Sequence, residues 1–212
     1  MNNSIKGILF DMDGVLIDAK EWHFESLNRA LSLFGFEISR YDHLVTYDGL
    51  PTRRKLEMLS LERGFPSGLH GLVNDLKQKY TMEIVGARCR PTFHHQYALG
   101  KLGELNIRMA VCSNSIRQTV DQMLSRAGIL SYFDITLSNQ DVTRAKPDPE
   151  IYLTAMEKLQ LLPQECLIVE DNPNGIKAAR ASGAHVLEVE NPSDVTYSNI
   201  SNKIKDIESR NA

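Results

Sequence analysis

At 212 residues, 42% of them hydrophobic, with 24 Lys+Arg against 27 Asp+Glu, the chain carries enough apolar material for one or two globular domains and too much for intrinsic disorder. A formal net charge of −3 excludes the positive excess that a nucleic-acid backbone or an anionic membrane surface selects, so neither is an expected partner. Residues 1–7 hold no basic leader and no apolar run approaches the ~18 residues of a membrane span, so a cytoplasmic protein is expected.

Residues 5–10 form a short apolar run that stops abruptly at Asp11-Met12-Asp13-Gly14, the pattern of a buried strand running into a turn. From 18 to 85 the pattern is helical instead. Trp22, Leu27, Leu31 and Phe34 make one apolar stripe closed by Gly35. Pro51 opens a second helix, with Leu56 and Leu59 inward and Gly64 as its stop, and Leu69, Leu72, Val73, Leu76 and Tyr80 mark a third. Four further strand-like runs, at 108–113, 133–138, 166–171 and 185–189, alternate with helix-length segments at 93–105, 116–127, 150–159 and 175–182. The polar tail carries one weak helix, 201–209. Strands alternating with helices predict an α/β fold, a parallel sheet with helices on both faces that binds ligands at the carboxyl ends of its strands. The expected organisation is an α/β core of residues 1–17 and 86–212 with a helical domain, 18–85, inserted just past the turn that carries Asp11 and Asp13, over which it should hang. The three cysteines, Cys89, Cys112 and Cys166, are expected to be small core residues without chemistry.

Two aspartates on one tight turn suit a hard cation, although Gly14 and Val15 stand where a calcium loop would need other residues. Glu170-Asp171 ends a second apolar run, where carboxylates are costly unless solvated or paired with a cation. Carboxylates at two converging strand ends point to Mg²⁺, which takes few protein oxygens and completes its shell with water and phosphate. Ser113-Asn114 ends a third run, and Lys146 is held in a loop by Pro147. A hydroxyl, backbone N–H groups and an ammonium are what a bound phosphate dianion needs beside a cation.

With Asp11-Met12-Asp13-Gly14-Val15, Ser113-Asn114, Lys146-Pro147-Asp148-Pro149 and Val169-Glu170-Asp171-Asn172-Pro173-Asn174-Gly175 standing in that order, the chain resembles the haloacid dehalogenase superfamily in its helical-cap branch. The resemblance implies a three-layer Rossmann-like core with an inserted cap. It implies Asp11 as a nucleophile that becomes an aspartyl phosphate and Asp13 as the acid and then the base. Asp11, the Asp13 carbonyl and Asp171 would hold Mg²⁺, with Glu170 a ligand or an orienter. Ser113, Asn114 and Lys146 would grip the phosphoryl oxygens.

Asp13 and the Glu170-Asp171 pair argue against a dehalogenase, and Asp13 against phosphonate cleavage. His23, in Glu21-Trp22-His23-Phe24, resembles a β-phosphoglucomutase histidine, yet Ala19 and Asn114 depart from the mutase pattern in favour of hydrolysis. Arg53 in Gly49-Leu50-Pro51-Thr52-Arg53 is the candidate cap contact. Lys77 and Lys79 are left unassigned, His94-His95 is expected to be a solvated pair pointing apart, and His43, His70 and His185 carry no signal. The expected function is a Mg²⁺-dependent phosphatase acting on a small phosphorylated metabolite, a sugar or polyol phosphate. A β-phosphoglucomutase-like phosphomutase is the alternative and a catalytically silent scaffold a third reading. No obligate protein partner is evident.

Overall fold

A computed structural model describes residues 4–210, so part of the segment read for a leader, residues 1–3, lies outside the described residues. In chain order the elements are β1 (Gly7–Phe10), α1 (Lys20–Ser32), α2 (Arg40–Asp42), α3 (Thr52–Arg63), α4 (His70–Arg88), α5 (Phe93–Glu104), β2 (Arg108–Cys112), α6 (Arg117–Arg126), β3 (Ile135–Leu137), α7 (Glu150–Leu159), β4 (Cys166–Glu170), α8 (Pro173–Ala181), β5 (His185–Glu188) and α9 (Tyr197–Arg210).

The central strands β1 and β4 are buried along their whole length and β2 beyond Arg108, as parallel strands covered on both faces must be, while the edge strands β3 and β5 are largely part-buried. The five strands pair in the order β3-β2-β1-β4-β5, every pair parallel, with Phe10 in register with Val111 on one side and Val169 on the other. Leu9, Ala110, Cys112, Leu137 and Ile168 pack on one face against Ile151, Tyr152, Ala155 and Met156 of α7 and Ala178 and Ala179 of α8. The residues alternating with them, Ile8, Phe10, Met109, Val111, Leu167 and Val169, point to the opposite face and are equally buried. The result is a three-layer Rossmann-like core. Complete burial of Ile8, Leu9 and Phe10 stabilises it by about 1.5–3 kcal/mol per side chain, which is what fixes β1 at the sheet centre.

The chain divides into two compact units, residues 1–18 with 90–212, and residues 19–89. The second unit runs past the boundary at 85, because α4 continues to Arg88 and buries Ile84 and Val85 near its end. Its core gathers Leu27, Ala30, Leu31, Ile38, Tyr47, Leu56, Leu59, Phe65 and Val73. Leu72, placed inward by periodicity, is half exposed; α4 turns Val73, Lys77 and Thr81 to the interior instead. Gly64 closes α3 with φ 69°, a left-handed conformation that glycine adopts without strain. A helical segment over 40–47, unforeseen from sequence, follows a loop anchored by Asn28. That side chain donates to the Ile38 carbonyl at 2.8 Å and accepts from the Ile38 N–H at 2.9 Å.

All three cysteines are buried. Among the described residues no helix is long and apolar enough to cross a membrane.

Candidate active site

Because β1 lies between β2 and β4 in matched register, the residues just past their ends, Asp11, Ser113 and Asp171, emerge at one level of the sheet. The Asp11 N–H donates to Val169 O at 3.0 Å, continuing the ladder by one residue. Behind it the chain turns tightly. Met12 O accepts from the N–H groups of Leu16 and Ile17 at 3.0 and 2.9 Å, and Gly14, at φ 97°, donates to Ile17 O at 2.7 Å. That φ is open to glycine and strained for other residues, so Gly14 lets Asp11 and Asp13 share the turn.

Lys146 enters from the loop before α7, its peptide bond to Pro147 cis. Its ammonium is buried, donating to Asp11 Oδ1 at 2.6 Å and Glu170 Oε1 at 2.7 Å and lying 4.7 Å from the centre of the Tyr152 ring. Glu170 is fully buried. Its Oε1 also accepts from Tyr152 Oη at 2.9 Å, and its Oε2 accepts from the N–H groups of Asp171 and Asn172 at 2.9 and 3.0 Å. The Asn114 side chain faces the Lys146 backbone, accepting from its N–H at 3.2 Å and donating to its carbonyl at 3.5 Å, so this amide steadies the lysine loop. Asp13 Oδ2 accepts from Ser115 Oγ at 2.8 Å and from Ser113 Oγ at 3.4 Å.

Burial drives the Asp11 carboxyl well above the usual carboxylate range, and Glu170, Asp171 and Asp13 push the same way, while the Lys146 ammonium pulls it back. For Lys146 burial acts downward, but Asp11 and Glu170 outweigh it and hold the amine as ammonium. Carboxylates thus outnumber the ammonium among these groups. Asp11, Glu170 and Asp171 each present an oxygen within 4.8 Å of the others. An all-oxygen donor set with excess negative charge fits a hard divalent cation such as Mg²⁺.

The first unit therefore brings together Asp11, Asp13, Ser113, Asn114, Lys146, Glu170 and Asp171. His23 and Arg53 belong to the second unit. Arg53 is exposed, its Nε on Glu57 Oε1 of the same helix at 3.0 Å. The buried Lys77, left unassigned from sequence, meets His23 Nδ1 at 3.2 Å.

Two residues escaped the sequence reading. Ser115 stood beside Ser113-Asn114 with no signal of its own, and Tyr152 was hidden in the apolar stripe of α7. The solvated reading of His94-His95 is overturned. His95 is buried, accepts from Thr92 Oγ1 at 2.8 Å and donates to Pro192 O at 3.0 Å, while His94 Nε2 lies 3.3 Å from the same carbonyl.

The pattern of the family described as haloacid dehalogenase-like hydrolase matches residues 8–189, from β1 through β5. The chain belongs to the haloacid dehalogenase-like hydrolases. This haloacid dehalogenase-like hydrolase is an enzyme of the family's phosphatase branch. It is 28% identical over 182 residues to a phosphorylated carbohydrates phosphatase of Thermotoga maritima, covering 84% of this chain and 82% of the relative. It is 30% identical over 188 residues to a phosphoglycolate phosphatase of Photobacterium profundum, covering 86% of this chain and 82% of the relative. The crystal structure of a β-phosphoglucomutase from Clostridium difficile shares the fold, with a TM-score of 0.82 at 21% identity over 95% of this chain and 98% of that one.

Proposed function

We propose that this phosphatase hydrolyses a sugar or polyol phosphate with Mg²⁺, through an aspartyl phosphate on Asp11. The observation that carries the reading is the Lys146 ammonium set between Asp11 Oδ1 and Glu170 Oε1 at the ends of β1 and β4, beside Asp171. The similarity to a phosphorylated carbohydrates phosphatase supports the substrate class.

In this reading an Asp11 carboxylate oxygen attacks phosphorus as the bond to the leaving oxygen breaks, and Asp13 gives its proton to that oxygen. Water then attacks the same phosphorus, Asp13 takes the water's proton, and the bond to Asp11 breaks, releasing phosphate and restoring both aspartates. Of the three protons on Lys146, two serve Asp11 and Glu170, and the third is available to a phosphoryl oxygen. In this reading the Ser113 hydroxyl and the Asn114 backbone N–H bind the remaining oxygens. Asp11, Asp171 and the Asp13 carbonyl would hold Mg²⁺, which supplies the positive charge that lets a phosphate dianion approach a carboxylate. Glu170, with two donors on each oxygen, suits the role of orienting Lys146 and the 171–172 loop. Residues 19–89 are read as the unit that chooses the leaving group, with His23 and Arg53 its candidate contacts.

The test is phosphate release from a panel of sugar, polyol and nucleotide monophosphates. Fastest release from sugar or polyol phosphates is expected, and a panel in which none releases phosphate would overturn the reading.

A further inference from the structure

Ser115 lies between the end of β2 and the start of α6, where a serine commonly caps the helix. It does not do so here. The N-cap position of α6 is Ile116, without a side-chain cap bond, and the Ser115 hydroxyl reaches Asp13 Oδ2 at 2.8 Å. Ser115 is itself held at both main-chain polar groups. Its N–H donates to Ser113 Oγ at 3.0 Å, and its carbonyl accepts from the Asn139 N–H at 3.0 Å, which ties it to the loop beyond β3. The second hydroxyl on Asp13, Ser113 Oγ, is at 3.4 Å, the longer and weaker of the two bonds.

A hydroxyl that donates to one oxygen of a carboxylate makes that oxygen the poorer seat for a proton and limits rotation of the group. We propose that Ser115 is a positioning residue for the reaction, holding Asp13 by Oδ2 so that Oδ1 carries the proton passed to the leaving oxygen and later taken from water. The inference rests on the acid and base role given to Asp13 above. A general acid matters most when the leaving oxygen is strongly basic, as in an alkyl phosphate, and little when it leaves readily, as in p-nitrophenyl phosphate. In kcat/KM, which reports the steps through cleavage of the ester, a positioning defect therefore falls on alkyl substrates alone.

The experiment compares wild type, Ser115→Ala, Ser115→Thr and Asp13→Asn on glycerol phosphate and p-nitrophenyl phosphate, with circular dichroism and urea midpoints confirming that each variant is folded. Ser115→Ala should lower kcat/KM for glycerol phosphate by about tenfold to a hundredfold and for p-nitrophenyl phosphate by less than about threefold, part of the ~10²–10⁴-fold that a general acid supplies. Ser115→Thr, which keeps the hydroxyl, should recover most of the loss, and Asp13→Asn should show the same selectivity more strongly. An equal loss on both substrates assigns Ser115 to structure or binding and overturns the proposal, as does no loss. A gain would mean that Ser115 parks Asp13 unproductively, which overturns it too. If Asp13→Asn itself shows no leaving-group selectivity, the acid role of Asp13 fails and the Ser115 proposal falls with it. Selectivity in Asp13→Asn without selectivity in Ser115→Ala removes the Ser115 proposal alone.

Discussion

Gly175 and Glu170 are fitted to each other: a Cβ on residue 175 would lie 1.7 Å from Glu170 Oε1 and 2.0 Å from its carboxyl carbon. A side-chain end can often swing aside, but both oxygens of this buried carboxylate are occupied by hydrogen bonds from Lys146, Tyr152 and two backbone N–H groups. Gly175→Ala should therefore destabilise the protein by about 1–3 kcal/mol, the usual cost of overpacking. Because the displaced group orients Lys146, turnover should also fall by at least about tenfold. Urea unfolding and kcat measured together check this; a variant with wild-type values in both would show that the carboxylate relocates freely.

Asp11→Asn should abolish turnover with the fold retained, since an amide fills the same space and still accepts from Lys146 but is no nucleophile. The expected loss is about a thousandfold or more. Circular dichroism and phosphate release on one preparation decide it, and substantial residual activity in a folded variant would exclude the covalent route.

Chelation should stop activity and Mg²⁺ should restore it. Asp171→Ala, which removes one of the clustered carboxylates, should raise the Mg²⁺ concentration needed for half-maximal rate by about tenfold or more. Activity indifferent to chelator would refute the requirement.

Acid should weaken the fold through two buried histidines. Burial lowers the pKa of His95 to about 4, the Pro192 carbonyl opposing; burial and then Lys55 lower that of His43 to about 4. Both are neutral in the folded state, whereas the unfolded chain takes up protons below about pH 6.5. Their contribution is complete above that pH and is lost as pH falls from about 6.5 toward 4, by roughly 2 kcal/mol per histidine at pH 5. Urea midpoints at pH 7 and pH 5 should show the drop, and His95→Gln should reduce it; an unchanged slope in that variant would remove His95 from the account.

In the proposed mechanism, hydrolysis and phosphomutase chemistry would share an aspartyl phosphate and differ in what attacks it. With β-glucose 1-phosphate and a trace of the bisphosphate, phosphorus NMR should show inorganic phosphate as the product. Accumulation of glucose 6-phosphate with little free phosphate would reverse the assignment to hydrolysis.

The strand ends were legible in sequence because a fully buried parallel strand is a short unbroken apolar run, and an acid directly after it is conspicuous. Hence Asp11, Ser113 and Asp171 could be read as strand-end residues from sequence, whereas the order β3-β2-β1-β4-β5 that makes their strands neighbours depends on packing between distant segments. What periodicity missed were residues with two faces. Tyr152 fills the core with its ring while its hydroxyl serves Glu170, and His95 reads as polar yet satisfies both nitrogens internally. Leu72 and Val73 are adjacent, so the i+3 and i+4 spacings admitted both, and only packing against the neighbouring helices put Val73 inside. Ser115 lacked any pattern because its partner lies 102 residues away.

β1 pairs only with strands made much later, β2 from Arg108 and β4 from Cys166. At roughly 5–20 residues per second, a ribosome spends from about 8 to 30 s between releasing the first strand and its second neighbour. Until β2 is made Ile8, Leu9 and Phe10 lack both neighbouring strands, and to the end of the interval β1 still lacks β4 on its other side. The centre of the sheet is begun first and completed near the last, so a nascent chain halted before β4 carries both aspartates of the turn, Ser113 and Lys146, but neither Glu170 nor Asp171.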